Sequence, residues 1–208
     1  MKKIAVVSGG LREPSSTRLL ADRLGAAVRV ALDGEAELTV LELRHLGRAI
    51  MDAMLTGFPS TELSAAFDTV ADADGLIAVT PAFNASYSGL FKSFFDVLPE
   101  ETLSDMPVLI AATGGTDRHS LVLEHAMRPM FSYLHAIISP TGVYAATDDF
   151  GSWEAGSLRA RVDKAGADFA RLLTSCGQRR RRDVFAEELD AMSRLLNGPD
   201  RTRRAPEE

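Results

Sequence analysis

The stretch Ile4-Ala5-Val6-Val7-Ser8-Gly9-Gly10-Leu11-Arg12-Glu13-Pro14-Ser15-Ser16-Thr17-Arg18 decides the fold. A short apolar run with β-branched residues reads as a buried parallel strand. It ends in two glycines, one arginine and three consecutive hydroxyl residues, and an amphipathic helix follows. This order gathers free backbone N–H groups, the positive end of a helix dipole, hydroxyl donors and a guanidinium at the carboxyl end of the strand. A phosphate monoester fits such a place. The same residues also read as a plain βα turn at Gly9-Gly10 with Ser15 to Thr17 capping the helix. On its own, the stretch leaves both readings open.

Working outward, Leu20, Leu24, Ala27, Val28 and Ala31 recur at helical spacing and give the first helix one apolar stripe, ending near Asp33-Gly34. Leu38, Val40, Leu41 and Leu43 make a second strand. The region from Arg44 to Pro59 has no clear period and contains Gly47, Gly57 and Pro59, so it is expected to be a loop with at most a short helix. Ser60 caps a helix with Glu62 in its first turn and Leu63, Phe67 and Val70 inward. Leu76 to Thr80 is the third strand, which Pro81 is expected to stop because proline cannot donate to the ladder. After the segment from Ala82 to Gly89 comes a helix with Leu90, Phe91, Phe94, Phe95 and Leu98 on one side. Pro107 to Ala112 forms the fourth strand, then Thr113-Gly114-Gly115-Thr116, then a long helix from about His119 to Leu134. Residues 136–138 and 143–145 supply a fifth, interrupted strand, and Ser157 to Leu173 a closing helix.

Strands alternating with helices predict an α/β fold, a doubly wound five-stranded parallel sheet with helices on both faces. In the order 2-1-3-4-5, ligands bind outside the carboxyl ends of strands one and three. The loops after strands one, three and four are the richest in glycine, hydroxyls and amides, and three such loops at one crevice argue more strongly than any one alone. The main domain is expected to span residues 1–177. Residues 178–208 form an extension: four arginines at 179–182, a short helix from Val184 to Leu196, and a polar tail. Between 179 and 208 there are 8 arginines and 7 acidic residues, so the basic run is locally balanced. Phe185, Leu189, Met192 and Leu196 give its helix a stripe that could dock on another subunit or belong to a mobile appendage.

The 208 residues, 46% apolar and 25% charged, suit one soluble globular domain. The net charge of -6 argues against a nucleic-acid-binding protein. One cysteine, Cys176, allows no internal disulfide and reads as a small apolar filler. No apolar run reaches the length of a membrane span, and Met1-Lys2-Lys3 leads into a strand rather than a signal peptide, so a cytoplasmic location is expected.

Several chemistries find no support. A third glycine for a GxGxxG turn is missing, as are a Walker loop and a GxSxG elbow. His45, His119, His125 and His135 lack the spacing of bases or metal ligands. Asp148-Asp149 reads as a pair of solvated turn residues. What remains is a set of backbone donors, hydroxyls and an amide, without an acid, base or nucleophile. Such a set suits a cofactor that carries its own reactivity, and flavin mononucleotide (FMN) matches: a phosphate for the first loop, a planar ring with polar edges for the other two.

The loop from Gly9 to Thr17 resembles the GSxRxxSxN phosphate loop of the NAD(P)H-dependent FMN reductases. Thr80 to Lys92 resembles their TPEYNxSxxGxLK segment, and Thr113-Gly114-Gly115 their third flavin loop. The run from Ala112 to Thr116 ahead of Arg128-Pro129 is most similar to the branch that serves two-component flavin monooxygenases. The resemblance implies a flavodoxin-like fold, with Arg12, Ser15, Ser16 and Thr17 on the phosphate. Pro81, Ala82, Phe83, Asn84 and Ser86 would line the ring and ribityl chain, and Thr113, Gly114 and Gly115 the pyrimidine edge. It further implies NAD(P)H as hydride donor, no catalytic side chain, and a homodimer or homotetramer. In that branch a flavin-dependent monooxygenase receives the product. The region from Arg44 to Pro59 and the helix from Leu90 to Leu98 are the candidate subunit contacts. Three positions depart from the pattern: Gly10 stands for its serine, Thr17 for its asparagine and Ala82 for its frequent glutamate. A flavin-carrying electron-transfer module, or a reductase of quinones, azo compounds or metal oxyanions, are the alternative readings.

Overall fold

The computed structural model describes residues 1–152, 157–177 and 192–193. Strand β1 (Lys2–Ser8) lies inside a sheet, between the edge strand β2 (Ala36–Glu42) and β3 (Gly75–Phe83), parallel to both. On the far side of β3 comes β5 (Pro107–Gly114), again parallel. The fifth position is shared by two short strands. β6 (Ile137–Ile138) pairs with Pro107 and Val108, and β7 (Val143–Ala146) pairs with residues Ala111 to Gly114. Except for the two-residue β4 (Ser86–Tyr87), the order is the expected flavodoxin-like one, and the interruption of the last strand is where the sequence places it.

Alternate residues of each strand feed two cores, because side chains in a strand point to opposite faces with period two. Ile4, Val6, Ile77, Val79, Leu109 and Ala111 meet helices α1 (Ser16–Ala31) and α6 (Ser157–Ser175) on one face. These two helices touch closely: a Cβ on Gly166 would lie 2.9 Å from that of Ala27. Ala5, Val7, Leu76, Ala78, Val108 and Ile110 meet α2 (Leu43–Thr56), α3 (Thr61–Ala71), α4 (Gly89–Val97) and α5 (Arg128–Tyr133) on the other. Phe91 and Phe95 of α4 stack edge-on at 4.9 Å, and Phe95 meets Phe131 of α5 at 5.1 Å. Edge-to-face pairs of this kind add about 0.5–1.5 kcal/mol to the burial of the rings themselves.

Five expectations need correction. The region from Arg44 to Pro59 is not a loop: α2 runs through most of it, with Leu43, Leu46, Ile50 and Ala53 buried and Gly57 closing it at φ 80°. Met51, Met54, Leu55 and Phe58 face outward and blur the apolar period. Pro81 does not stop β3, which continues to Phe83. The pairing of β1 with β3 ends at Ser8, so Pro81 has no β1 partner to which a donor would be owed. The long helix from His119 to Leu134 is broken into a 3₁₀ turn (Asp117–His119), a π-helical turn (Leu123–Met127) and α5. Pro129, lacking an N–H and crowding the carbonyl one turn back, accounts for the widened turn before it. Asp149 is not a free turn residue, since it accepts from the Ala146 N–H at 2.9 Å and pairs with Arg161 at 2.8 Å. Cys176 is exposed rather than a filler. The predicted extension at 178–208, with its arginine run and docking stripe, lies outside the described residues apart from Met192 and Ser193, which are helical and exposed.

Candidate active site

Strands β1, β3 and β5 end side by side, and three turns leave their carboxyl rim. The first begins where the Gly9 N–H donates to the Val79 carbonyl at 2.8 Å. Its glycines are required by close neighbours. A Cβ on Gly9 would stand 3.1 Å from the Phe91 ring, and one on Gly10 2.2 Å from Ser15 Oγ. Ser15 is the N-cap of α1 and accepts from the Arg18 N–H at 3.2 Å, so a side chain at position 10 would displace the cap. In this structure the room that the pattern's serine side chain would take at position 10 is occupied by the Ser15 hydroxyl.

Around this turn the charges are already matched, with one exception. Arg18 pairs with Asp22 at 2.8 Å and Glu42 at 2.5 Å. Arg44 pairs with Glu13 at 2.6 Å and Glu42 at 3.3 Å, which ties the first turn to the start of α2. These carboxylates hold both guanidinium groups above their ordinary pKa, the Asp22 hydrogen bond leading for Arg18 and the Glu13 hydrogen bond for Arg44. Arg12 is exposed and makes no ion pair with the described residues. Beside it the N–H groups of Ser16 and Thr17 precede the first carbonyl that α1 could offer them, and point out of the helix start.

The second turn is a two-residue hairpin. Ala82 faces Tyr87 and Phe83 faces Ser86 across β3 and β4, with Asn84 (φ 48°) and Ala85 (φ 66°) at the tip. Two successive positive φ values fit a hairpin twist, and asparagine tolerates the first. The hairpin is fixed from below: the Ser88 N–H donates to Thr80 Oγ1 at 3.1 Å, Thr80 donates to the Pro81 carbonyl at 3.0 Å, and Ser88 Oγ caps α4. Phe83, Asn84 and Ala85 are exposed, Ala82 and Ser86 are half-buried, and Pro81 is buried.

The third turn leaves β5 through Thr113, Gly114 and Gly115. Tyr144 of β7 supports it from the neighbouring strand, donating to the Thr116 carbonyl at 2.7 Å. A Cβ on Gly114 would lie 2.1 Å from that hydroxyl, whereas the space beside Gly115 is open. Burial, then the Asp117 and Asp149 carboxylates, push the Tyr144 phenol above its ordinary pKa, so it stays protonated and donating. Buried between the first and third turns, Thr17 Oγ1 and Thr113 Oγ1 are 2.8 Å apart.

All twelve residues singled out in the sequence thus sit on turns, strand ends or the first turn of α1 at one rim, with Thr17 and Thr113 facing each other rather than solvent. Three supports were missed: Tyr144, the Arg44–Glu13 pair and the Thr80–Ser88 contact. Each depends on strand register or helix placement that no local pattern carries. Arg12 is the ionisable side chain of the set, and the four histidines lie exposed elsewhere. No group of side chains suited to a metal occurs among the described residues. A helix start with free N–H groups, an unpaired guanidinium and an open glycine edge fit a phosphorylated ring whose reactivity is its own.

Residues 2–151 match the family described as NADPH-dependent FMN reductase. The chain belongs to that family. Among these FMN reductases, an "FMN reductase (NADPH)" of Pseudomonas aeruginosa is 40% identical over 162 residues, covering 77% of this chain and 86% of that protein. An "NADH-dependent FMN reductase SfnF" of Pseudomonas fluorescens is 39% identical over the same length, again covering 77% and 86%. Among solved structures, an oxidoreductase from Corynebacterium diphtheriae superposes with a TM-score of 0.80 at 43% identity, covering 84% of this chain and 98% of that one. The two Pseudomonas proteins are named for different nicotinamide nucleotides at nearly equal identity. No helix among the described residues is long and apolar enough to cross a membrane.

Proposed function

We propose that this chain is an NAD(P)H:FMN oxidoreductase whose binding unit is residues 1–177, with 178–208 an appendage to it. The observation that carries the reading is the meeting of three turns at one rim, in a site with an unpaired arginine and no acid–base pair. Arg12, Ser15, Ser16 and Thr17 hold the phosphate, chiefly through the guanidinium and the N–H groups that open α1. Residues Pro81 to Asn84 and Ser86 line the ring and ribityl chain, and Thr113 to Gly115 border the pyrimidine edge. When bound, FMN would supply the redox centre, with NAD(P)H as the hydride donor. The chain's own part is positioning and electrostatics. Arg12 neutralises phosphate charge, Tyr144 fixes the third turn so that its N–H groups are preorganised for electron-rich oxygen and nitrogen atoms, and Thr80 with Ser88 fixes the hairpin.

The outward face of α2 supports self-association as a homodimer or homotetramer. Met51, Met54 and Leu55 of α2 are 47%, 45% and 80% exposed, and Phe58, just past its Gly57 cap, is 80% exposed, a local concentration of large apolar groups. A cytoplasmic location, where reduced nicotinamide nucleotides are available, and delivery of reduced flavin to a flavin-dependent monooxygenase complete the reading. Following absorbance at 340 nm with FMN and NADPH or NADH tests it. Consumption of many equivalents of nucleotide per protein is expected. Consumption that stops at one equivalent would instead identify an electron carrier, and faster turnover on quinones or azo compounds than on FMN would move the physiological acceptor.

A further inference from the structure

Thr17 stands where the family pattern has asparagine, and its hydroxyl does not point out of the first turn. It lies 2.8 Å from Thr113 Oγ1, and the two residues are each 3% exposed. Thr17 is the second residue of α1, directly after Ser16, and Thr113 directly precedes Gly114. The pair therefore joins the two turns proposed to hold opposite ends of the flavin. A buried hydroxyl left without a partner is costly, so neither turn can shift alone without orphaning the other's oxygen.

Resting on the flavin reading above, we propose that Thr17 and Thr113 are a pair of positioning residues that couple the phosphate subsite to the ring subsite. Engagement of the phosphate at the start of α1 fixes Thr17, which fixes Thr113 and with it the Gly114-Gly115 edge. Coupling of this kind is reciprocal. A substitution at Thr113, on the ring side, weakens the contribution of the phosphate, and a substitution at Thr17 weakens binding of a ring that carries no phosphate.

The test compares FMN with riboflavin, which lacks the phosphate, by flavin fluorescence quenching on the full chain. Valine removes each hydroxyl at nearly constant volume. For Thr113→Val the expected result is a fall in FMN affinity larger than the fall in riboflavin affinity, by roughly three- to tenfold, the worth of one hydrogen bond. Thr17→Val is expected to weaken riboflavin as well as FMN, and Thr113→Ser, which keeps the hydroxyl, to restore the wild-type ratio. The double valine variant should bind FMN no worse than the weaker single variant, because the pair is lost only once. An FMN-to-riboflavin ratio unchanged in Thr113→Val, or single effects that multiply in the double variant, would overturn the coupling and leave the flavin reading intact. Should Thr113→Val not fold, Thr17→Val tested on riboflavin decides alone: undiminished affinity overturns the proposal. Wild-type protein that binds neither flavin would overturn the flavin reading and the coupling with it.

Discussion

At the scale of single residues, what the site does turns on a few contacts. Among the described residues no carboxylate pairs with Arg12, while Arg18 and Arg44 are committed to Asp22, Glu42 and Glu13. Arg12→Ala is expected to weaken FMN binding by about 1.5–3 kcal/mol, the range for a hydrogen bond to a charged group, and to leave riboflavin binding nearly unchanged. Titrating the two flavins against the variant checks this. Gly114 is constrained by Tyr144, whose hydroxyl would lie 2.1 Å from an added Cβ. Gly114→Ala is therefore expected to lower the thermal stability by the equivalent of about 1–3 kcal/mol, and combining it with Tyr144→Phe should recover part of the loss. The polar residues of the three turns were legible because glycine, hydroxyl and amide side chains cluster there between apolar runs. Tyr144 was not. Its role arises from its register beside Ala112 across a parallel pair, and nothing near it in sequence marks it. Thr17 was legible as a hydroxyl residue of the first turn, but the direction of its hydroxyl was not.

At the scale of elements, the sequence reading held best where one face is apolar and the other polar, as in α1 and α3. It failed at α2, where the buried series Leu43, Leu46, Ile50 and Ala53 is overlaid by Met51, Met54 and Leu55 on the outside, with Phe58 exposed just past the Gly57 cap. A helix apolar on two sides loses its period, and a second apolar side is what the proposed subunit contact would use. Replacing both Met54 and Phe58 by lysine is expected to shift the oligomer toward monomer on size-exclusion chromatography. The helical circular dichroism should be retained, since neither side chain belongs to the core. The break in the helix after β5 was missed for another reason. Pro129 sits inside an otherwise helical run, and its missing donor and bulky ring are accommodated by the π-helical turn from Leu123 to Met127.

At the scale of the whole molecule, the doubly wound class was legible because each apolar strand alternates with a helix, and the strand order because the resemblance implies a flavodoxin-like fold. The packing between distant elements was not. Asp168 of α6 is nearly buried and accepts from Thr141, from Lys164 at 3.0 Å and from Arg171 at 2.7 Å, pinning the link between β6 and β7 to α6. The Thr141 hydrogen bond first, then Lys164 and Arg171, draw its carboxyl down to about 2. A carboxyl depressed in the folded state stabilises it in full above the ordinary carboxylate pKa, and the contribution is lost as the pH falls toward the folded value. Melting temperatures of wild type and Asp168→Asn should differ by a constant amount above about pH 5 and converge as the pH approaches about 2. A gap that persists undiminished at the acid end would show that the side chain acts through packing alone.

The divided fifth strand has a consequence for life at high concentration. An unbroken outer strand would present a row of free amide and carbonyl groups to any neighbouring chain, a template for runaway stacking. Here that border consists of two residues, a kinked link and four more residues, while the opposite border, β2, carries Glu37 and Glu42. Neither side offers a long, flat, uncharged ribbon. The same break that puts Tyr144 beside the third turn also blunts the molecule against fibre growth.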